Sequence, residues 1–215
     1  MRVEVIEHLD MVDFIAQPDV VSRREEILQL HEKYRQANFY RACIDLSAEH
    51  LAIWDDRVNG EKKRRGEVVL GIYNGQNKIL LHTKSFYPQK IYRVPTGGMH
   101  ADEGAVAALH RELHEETGFF AASFQLLALL LYVFRHAQQV VPFLSFIFAI
   151  SVDDDAPRCK DAGENISGYR WIEPAQLASV SAELRGLQED RWQEWGKMRA
   201  IPHEIILAAR NAEIK

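Results

Sequence analysis

Glu112, Glu115 and Glu116 lie close together on a proline-free segment, Ala105 to Thr117, that is rich in Ala, Leu and Glu. That composition predicts a helix, with Gly118 as its C-terminal stop. At about 100° per residue, Ala105, Leu109 and Leu113 form an apolar stripe and Glu116 falls near its middle, so this carboxylate is not an ordinary solvated surface acid. Glu112 projects beside Glu116, and Glu115 follows a little further round. Like charges at this spacing repel, and desolvation raises the cost, so a positive group is expected among them. No Cys or His is spaced on this face for zinc, and an all-oxygen donor set suits Mg2+ or Mn2+. The competing arrangement is a surface helix whose acids pair with Arg111 and solvent.

The loop ahead of this helix, Val94-Pro95-Thr96-Gly97-Gly98, lets backbone approach a ligand closely because glycine has no Cβ. With the helix N-terminus it offers amide N–H groups to an anion. Next to a carboxylate cluster, such a loop reads as a place for phosphate oxygens. Divalent ions joining the carboxylates to a diphosphate would neutralise its charge, align it and acidify a bound water, which is the chemistry of phosphoanhydride hydrolysis.

From Gly97 to Phe119 the segment GGMHADEGAVAALHRELHEETGF resembles the Nudix box, G-x5-E-x7-R-E-U-x-E-E-x-G-U with U a bulky apolar residue. Gly97, Glu103, Arg111-Glu112-Leu113, Glu115-Glu116, Gly118 and Phe119 match every defined position. The resemblance implies a metal-dependent hydrolase that cleaves a nucleoside diphosphate linked to another group. Glu112, Glu115 and Glu116 match the metal-binding positions, and Thr96 is placed to add a backbone carbonyl. Arg111 and Glu103 match positions credited with holding loop and helix in place. Glu164, an acid shortly before an aromatic-containing strand, resembles an extra glutamate that many members bring to the metals as general base, with Glu115 or Glu116 as the competing base. Gly97, Gly98 and Arg93 are the expected substrate-binding residues. Lys90 and Arg93, just upstream of the glycine loop, either meet substrate phosphate or are exposed strand charges.

The fold implied is α+β, an α/β/α sandwich of the Nudix type with a mixed sheet. The expected division is a helical extension over 1–65, a catalytic domain over 66–176 and a second helical extension over 177–215. In the first extension, Ser22 to Glu25 reads as a capping box opening a helix from about 23 to 38, followed by a helical segment around 47–55. Glu61-Lys-Lys-Arg-Arg65 reads as a solvated basic linker. Strands are expected at 68–73 and 78–83 around an Asn74-Gly75 turn, then at 91–94, 124–134, 140–152 and 169–172. The acidic stretch Asp153 to Asp161 reads mostly as a solvated loop. Pro174 opens a helix to about 182, and the remaining tail is helical with a break near Gly196. Trp192 and Trp195 read as packing anchors.

A chain of 215 residues that is 47% apolar suffices for one well-buried domain plus additions. Its net charge of −5 argues against duplex nucleic acid as a main partner. Cys43 and Cys159 are far apart and in no metal-like spacing, as expected of reduced thiols in a cytoplasmic protein. The acids in MRVEVIEHLDMVDF do not suit a signal peptide, and no apolar stretch reaches a membrane span. The apolar faces of both extensions make a homodimer the expected assembly. Two rival readings are an isomerase of the isopentenyl diphosphate type, which would need a cysteine facing substrate, and a non-catalytic sensor of a nucleotide metabolite. Neither cysteine lies in a segment expected to face substrate, and neither extension carries a recognition motif.

Overall fold

The computed structural model describes residues 3–61, 63–64, 66–88 and 91–213. Lys90, and Lys62 and Arg65 of the basic run, lie outside the described residues. In chain order the elements are β1 (Val3–Leu9), α1 (Met11–Ile15), α2 (Arg24–Lys33), β2 (Asn38–Asp45), α3 (Ala48–Asn59), β3 (Gly66–Tyr73) and β4 (Ile79–Lys84). There follow β5 (Thr96–Gly98), α4 (Ala105–Thr117), β6 (Ser123–His136), β7 (Gln139–Ser151), β8 (Ile166–Ile172), α5 (Leu177–Arg185) and α6 (Asp190–Glu213). Helices and a mixed parallel and antiparallel sheet make this an α+β fold, as expected. No described helix is long and apolar enough to cross a membrane.

The residues group into two compact units, one made of Met1–Val68, Gly98–Ala108 and Leu126–Ile147, the other of Val69–Gly97, Leu109–Gln125 and Phe148–Lys215. In the first, β1 runs antiparallel to β2, and β2 pairs parallel to β6 from Asn38↔Ala128 to Asp45↔Arg135. An Arg135–Asp45 ion pair of 2.9 Å closes the end of that register. Phe39, Ala42 and Ile44 are buried, with Phe14 packed on Phe39 at 5.1 Å. Trp54 of α3 stacks on Phe134 at 4.5 Å and meets Phe143 at 4.8 Å.

The first extension is therefore not helical throughout. The apolar residues of β2 do not alternate strictly with polar ones, because Tyr40 and Arg41 interrupt them, so the two-residue period is weak in the sequence. The helix expected over 23–38 is only α2. Ser22 lies inside a 3-10 turn, Pro18–Arg23, that runs directly into α2, and no side chain caps that junction. The Ser22 capping box is therefore not formed. At the other end Tyr34 leaves helical geometry, with φ −120° and ψ 66°. Ser47 does cap α3, accepting from His50 N.

In the second unit, β4 pairs antiparallel with β8 from Ile79↔Ile172 to Thr83↔Gly168. The β3–β4 turn is held by Asn74, whose Oδ1 accepts from the amides of Gln76 and Lys78. The strand expected at 91–94 is reduced to one bridge between Arg93 and His82. Pro88 and Pro95 on either side lack the amide a longer ladder needs. The tail does not break at Gly196: α6 continues through it and through Pro202. A Cβ at Gly196 would stand 2.2 Å from the Leu184 carbonyl oxygen, so the glycine lets α5 end against α6. Trp192 and Trp195 pack on each other at 5.1 Å and on Tyr87 at 6.0 and 5.0 Å.

His203 of α6 is buried, with Nε2 accepting from Val94 N at 3.0 Å and Nδ1 donating to the Arg199 carbonyl at 2.8 Å. Burial pushes its pKa down to about 4, against the hydrogen bond to the Arg199 carbonyl and with the Arg93 charge adding to the fall. An unfolded histidine ionises near 6.5, so between about 6.5 and 4 the unfolded chain binds the extra proton. The stability tied to His203 is present above about pH 6.5 and is lost as pH falls through that window, by up to roughly 3 kcal/mol. Urea unfolding at pH 7 and pH 5 is expected to show a smaller acid loss in His203→Gln; an unchanged pH slope would contradict the assignment.

Candidate functional site

Helix α4 occupies the range the sequence predicted, because its stripe of Ala105, Leu109 and Leu113 is fully buried. Glu116 on that stripe has no solvent exposure and Glu112 only 4%. The cations among the acids come from the chain itself. Arg111 Nη1 donates to Glu112 Oε1 at 2.7 Å and to Glu115 Oε2 at 3.0 Å. Lys84 Nζ lies 3.2 Å from Glu116 Oε1 and 2.6 Å from Glu164 Oε2. His82 Nδ1 stands 3.7 Å from Glu116 Oε2. Glu164, in the 3-10 turn Ala162–Glu164, is thus brought to the same lysine as Glu116.

Despite this company, neither oxygen of Glu116 accepts a hydrogen bond among the described residues. Burial raises its pKa to about 8, against the opposing charges of Lys84 and Arg93. Burial also raises Glu112, while Arg111 opposes. For Lys84, burial alone would lower the pKa, but Glu116 and the bond to Glu164 outweigh it and the ammonium is favoured.

The carboxylates of Glu112, Glu115 and Glu116 are donors that fit a hard divalent ion, and neither oxygen of the buried Glu116 accepts a hydrogen bond among the described residues. As they stand, however, the acids are drawn to Arg111 and Lys84. Among the described residues no three His, Cys, Asp or Glu side chains gather as a metal cage. Expected ligand Thr96 is buried in β5, and its hydroxyl accepts from Arg93 Nη1 at 3.0 Å.

Gly97 is required from inside the protein: a Cβ there would lie 1.8 Å from Glu112 Cδ. At Gly98 the neighbour is the flexible end of Arg64, 2.9 Å from the ideal Cβ. Arg93 is no exposed strand charge. It is 4% exposed, donating to Tyr87 Oη at 2.8 Å, to the Val94 carbonyl at 2.8 Å and to Thr96. The guanidinium is occupied in shaping the loop, since a buried charge persists only when fully bonded. Glu103 accepts from His100 N at 3.1 Å, fixing the turn before α4.

The C-terminal end of α4 is closed by the stretch expected to be a solvated acidic loop. Arg158 N donates to the Thr117 carbonyl at 2.7 Å and Lys160 N to that of Glu115 at 2.8 Å. The Tyr169 hydroxyl donates to the Glu116 carbonyl. These bonds satisfy carbonyls that a helix end leaves without partners. Gly118, at φ +74°, turns the chain away. Cys159 also sits here, its thiol donating to the Glu115 and Asp161 carbonyls at 3.6 and 3.0 Å. Burial pushes that thiol up, against the Asp161 bond, which is the reverse of an activated nucleophile.

Lys84, His82 and Tyr169 were missed by the sequence reading. A signal existed for two of them: His82 and Lys84 are two residues apart on β4 and so share a face, an unusual pair of polar, nitrogen-bearing side chains on a strand otherwise apolar at Ile79, Leu80 and Leu81.

The chain is similar to known proteins over much of its length. The model of the NUDIX domain matches residues 62–193. The curated protein Phosphatase NudJ of Escherichia coli is 27% identical over 110 residues, covering 51% of this chain and 69% of its own. Among solved structures, the NUDIX domain of Shewanella oneidensis NrtR complexed with ADP ribose is 18% identical, with a TM-score of 0.49, covering 79% of this chain and 99% of that one. A NUDIX hydrolase from Nitrosomonas europaea is 20% identical, with a TM-score of 0.47, covering 68% and 90%. With the domain matched over more than half of its length and the box complete, this chain belongs to the Nudix family.

Proposed function

We propose that the chain, a hydrolase of pyrophosphate bonds by its family, cleaves a nucleoside diphosphate linked to another group in a reaction that depends on Mg2+ or Mn2+. The observation that carries this reading is the Glu116 carboxyl, wholly buried and accepting no hydrogen bond among the described residues, on the same helix as Glu112 and Glu115. Glu112, Glu115 and Glu116, with the Thr96 carbonyl, would hold the ion. When bound, the ion would neutralise the diphosphate and acidify water. Arg111 orients Glu112 and Glu115, and Lys84 keeps Glu164 beside Glu116, where either acid can take a proton from the attacking water. Arg93 fixes the Val94–Thr96 backbone, so that Gly97 and Gly98 can meet phosphate. The catalytic segment is assigned to 66–176, with 1–65 and 177–215 as extensions, in a homodimer of a cytoplasmic protein; a monomeric light-scattering mass would remove the dimer.

The isomerase reading gains no support from Cys159, whose thiol is tied to two backbone carbonyls. The test is a panel of nucleoside triphosphates, ADP-ribose-like compounds and nucleotide sugars with Mg2+ and Mn2+. One class is expected to yield two phosphate-bearing products only when an ion is present. Turnover undiminished by a chelator, or no hydrolysis of any compound, would overturn the reading.

A further inference from the structure

The first turn of α4 has no acid of its own, and the residue before it, Gly104, has no side chain. Its amides should therefore lack partners, as the start of any helix does unless something supplies them. What supplies one is a residue remote in sequence. Glu26 of α2 accepts from Ala105 N through Oε1 at 2.6 Å. Its other oxygen takes Arg23 Nη1 at 2.9 Å, and the same Nη1 donates to the Glu103 carbonyl at 2.9 Å. A Cβ on Gly104 would stand 3.2 Å from Glu26 Oε1, so the carboxylate sits flush against the helix start. Arg23 and Glu26 both precede the matched domain, which begins at residue 62.

We propose that Glu26 and Arg23 are positioning residues for the hydrolysis, fixing the start of α4 and the Glu103 turn and thereby the placement of Glu112, Glu115 and Glu116 along the same helix. The inference rests on reading α4 as the catalytic helix. A carboxylate at a helix N-terminus also complements the helix dipole, and a rigid helix carries a displacement at its first turn to its last. Reaction geometry is sensitive to such shifts: about 1 Å can cost on the order of a hundredfold. The pair is partly exposed, at 21% for Arg23 and 24% for Glu26, so salt should weaken it.

The experiment measures kcat and KM of the full chain on the fastest compound of the panel at saturating Mg2+, together with amide hydrogen exchange along α4. Glu26→Ala is expected to lower kcat about tenfold with KM changed less than about twofold, and to speed exchange at residues 105–108 about fivefold. Glu26→Gln, which keeps an acceptor oxygen, should restore most of kcat. Arg23→Met should behave like Glu26→Ala, and Glu25→Ala, on the next position of α2, should match wild type. If Glu26→Ala fails to fold, Glu26→Asp, which keeps the charge but falls short of the amide, takes its place with the same expectation. Faster exchange with unchanged kcat would overturn the positioning role. Loss of rate in Glu26→Gln as deep as in Glu26→Ala would also overturn it. Full activity in Glu116→Gln would instead overturn the assignment of α4, whatever Glu26 does.

Discussion

Replacing Glu116 with Gln is expected to lower kcat by about a thousandfold or more at saturating Mg2+ or Mn2+, while leaving the fold intact. The two halves of this expectation come from the same burial. Glu116 has no solvent exposure, and burial raises the pKa of its carboxyl to about 8, so without an ion the protonated form is favoured relative to an ordinary carboxylate. Gln is nearly isosteric with the protonated acid, and Lys84 keeps Glu164 as a partner. Stability should therefore change by no more than about 1 kcal/mol. Catalysis has no such reserve, because an amide cannot supply the negative oxygen that a divalent ion needs, and even partners one shell out from a metal are worth on the order of 10- to 100-fold. Thermal melts beside steady-state rates separate the two effects. A folded Glu116→Gln enzyme with retained turnover would end the metal assignment.

Gly97→Ala is expected to reduce activity by about a hundredfold or more, with a stability loss of about 1–3 kcal/mol. The added methyl would lie 1.8 Å from Glu112 Cδ and 2.1 Å from its Cγ. Glu112 is buried and bonded to Arg111, so it can yield only by displacing its carboxylate. If it does not yield, the loop itself must shift. Gly98→Ala provides the contrast, because the neighbour there is the end of Arg64, which can swing aside, and its activity should stay within about tenfold of wild type. Equal losses at the two glycines, measured as kcat/KM beside chemical denaturation, would show that the loop rather than Glu112 sets the requirement.

The parts of the protein legible in the sequence are those where one residue type answers one local need. Helix α4 could be read to the residue because its apolar stripe and terminal glycine coincide, and Glu116 stood out as an acid on that stripe. Other parts depend on partners distant in the chain. Strand β2 carries Tyr40 and Arg41 among its apolar residues, so its pairing with β6 leaves little periodic trace. Arg93 reads as a substrate-binding cation or an exposed strand charge until Tyr87, Val94 and Thr96 are brought to it. Lys84 could be suspected from its strand position beside His82, but that it binds Glu116 and Glu164 depends on β4 and the Ala162–Glu164 turn meeting at the end of α4. Gly196 misled for the opposite reason: a glycine read as a helix breaker serves to admit the Leu184 carbonyl.

The segment from Arg158 to Asp161 gives its backbone amides to the last carbonyls of α4, and three residues later the same segment supplies Glu164. Its length is consequently constrained in a way that surface connections seldom are. Inserting or deleting a single residue there would misalign the helix terminus and the fourth acid together, so homologues that differ in what they cleave should vary elsewhere and keep this spacing constant.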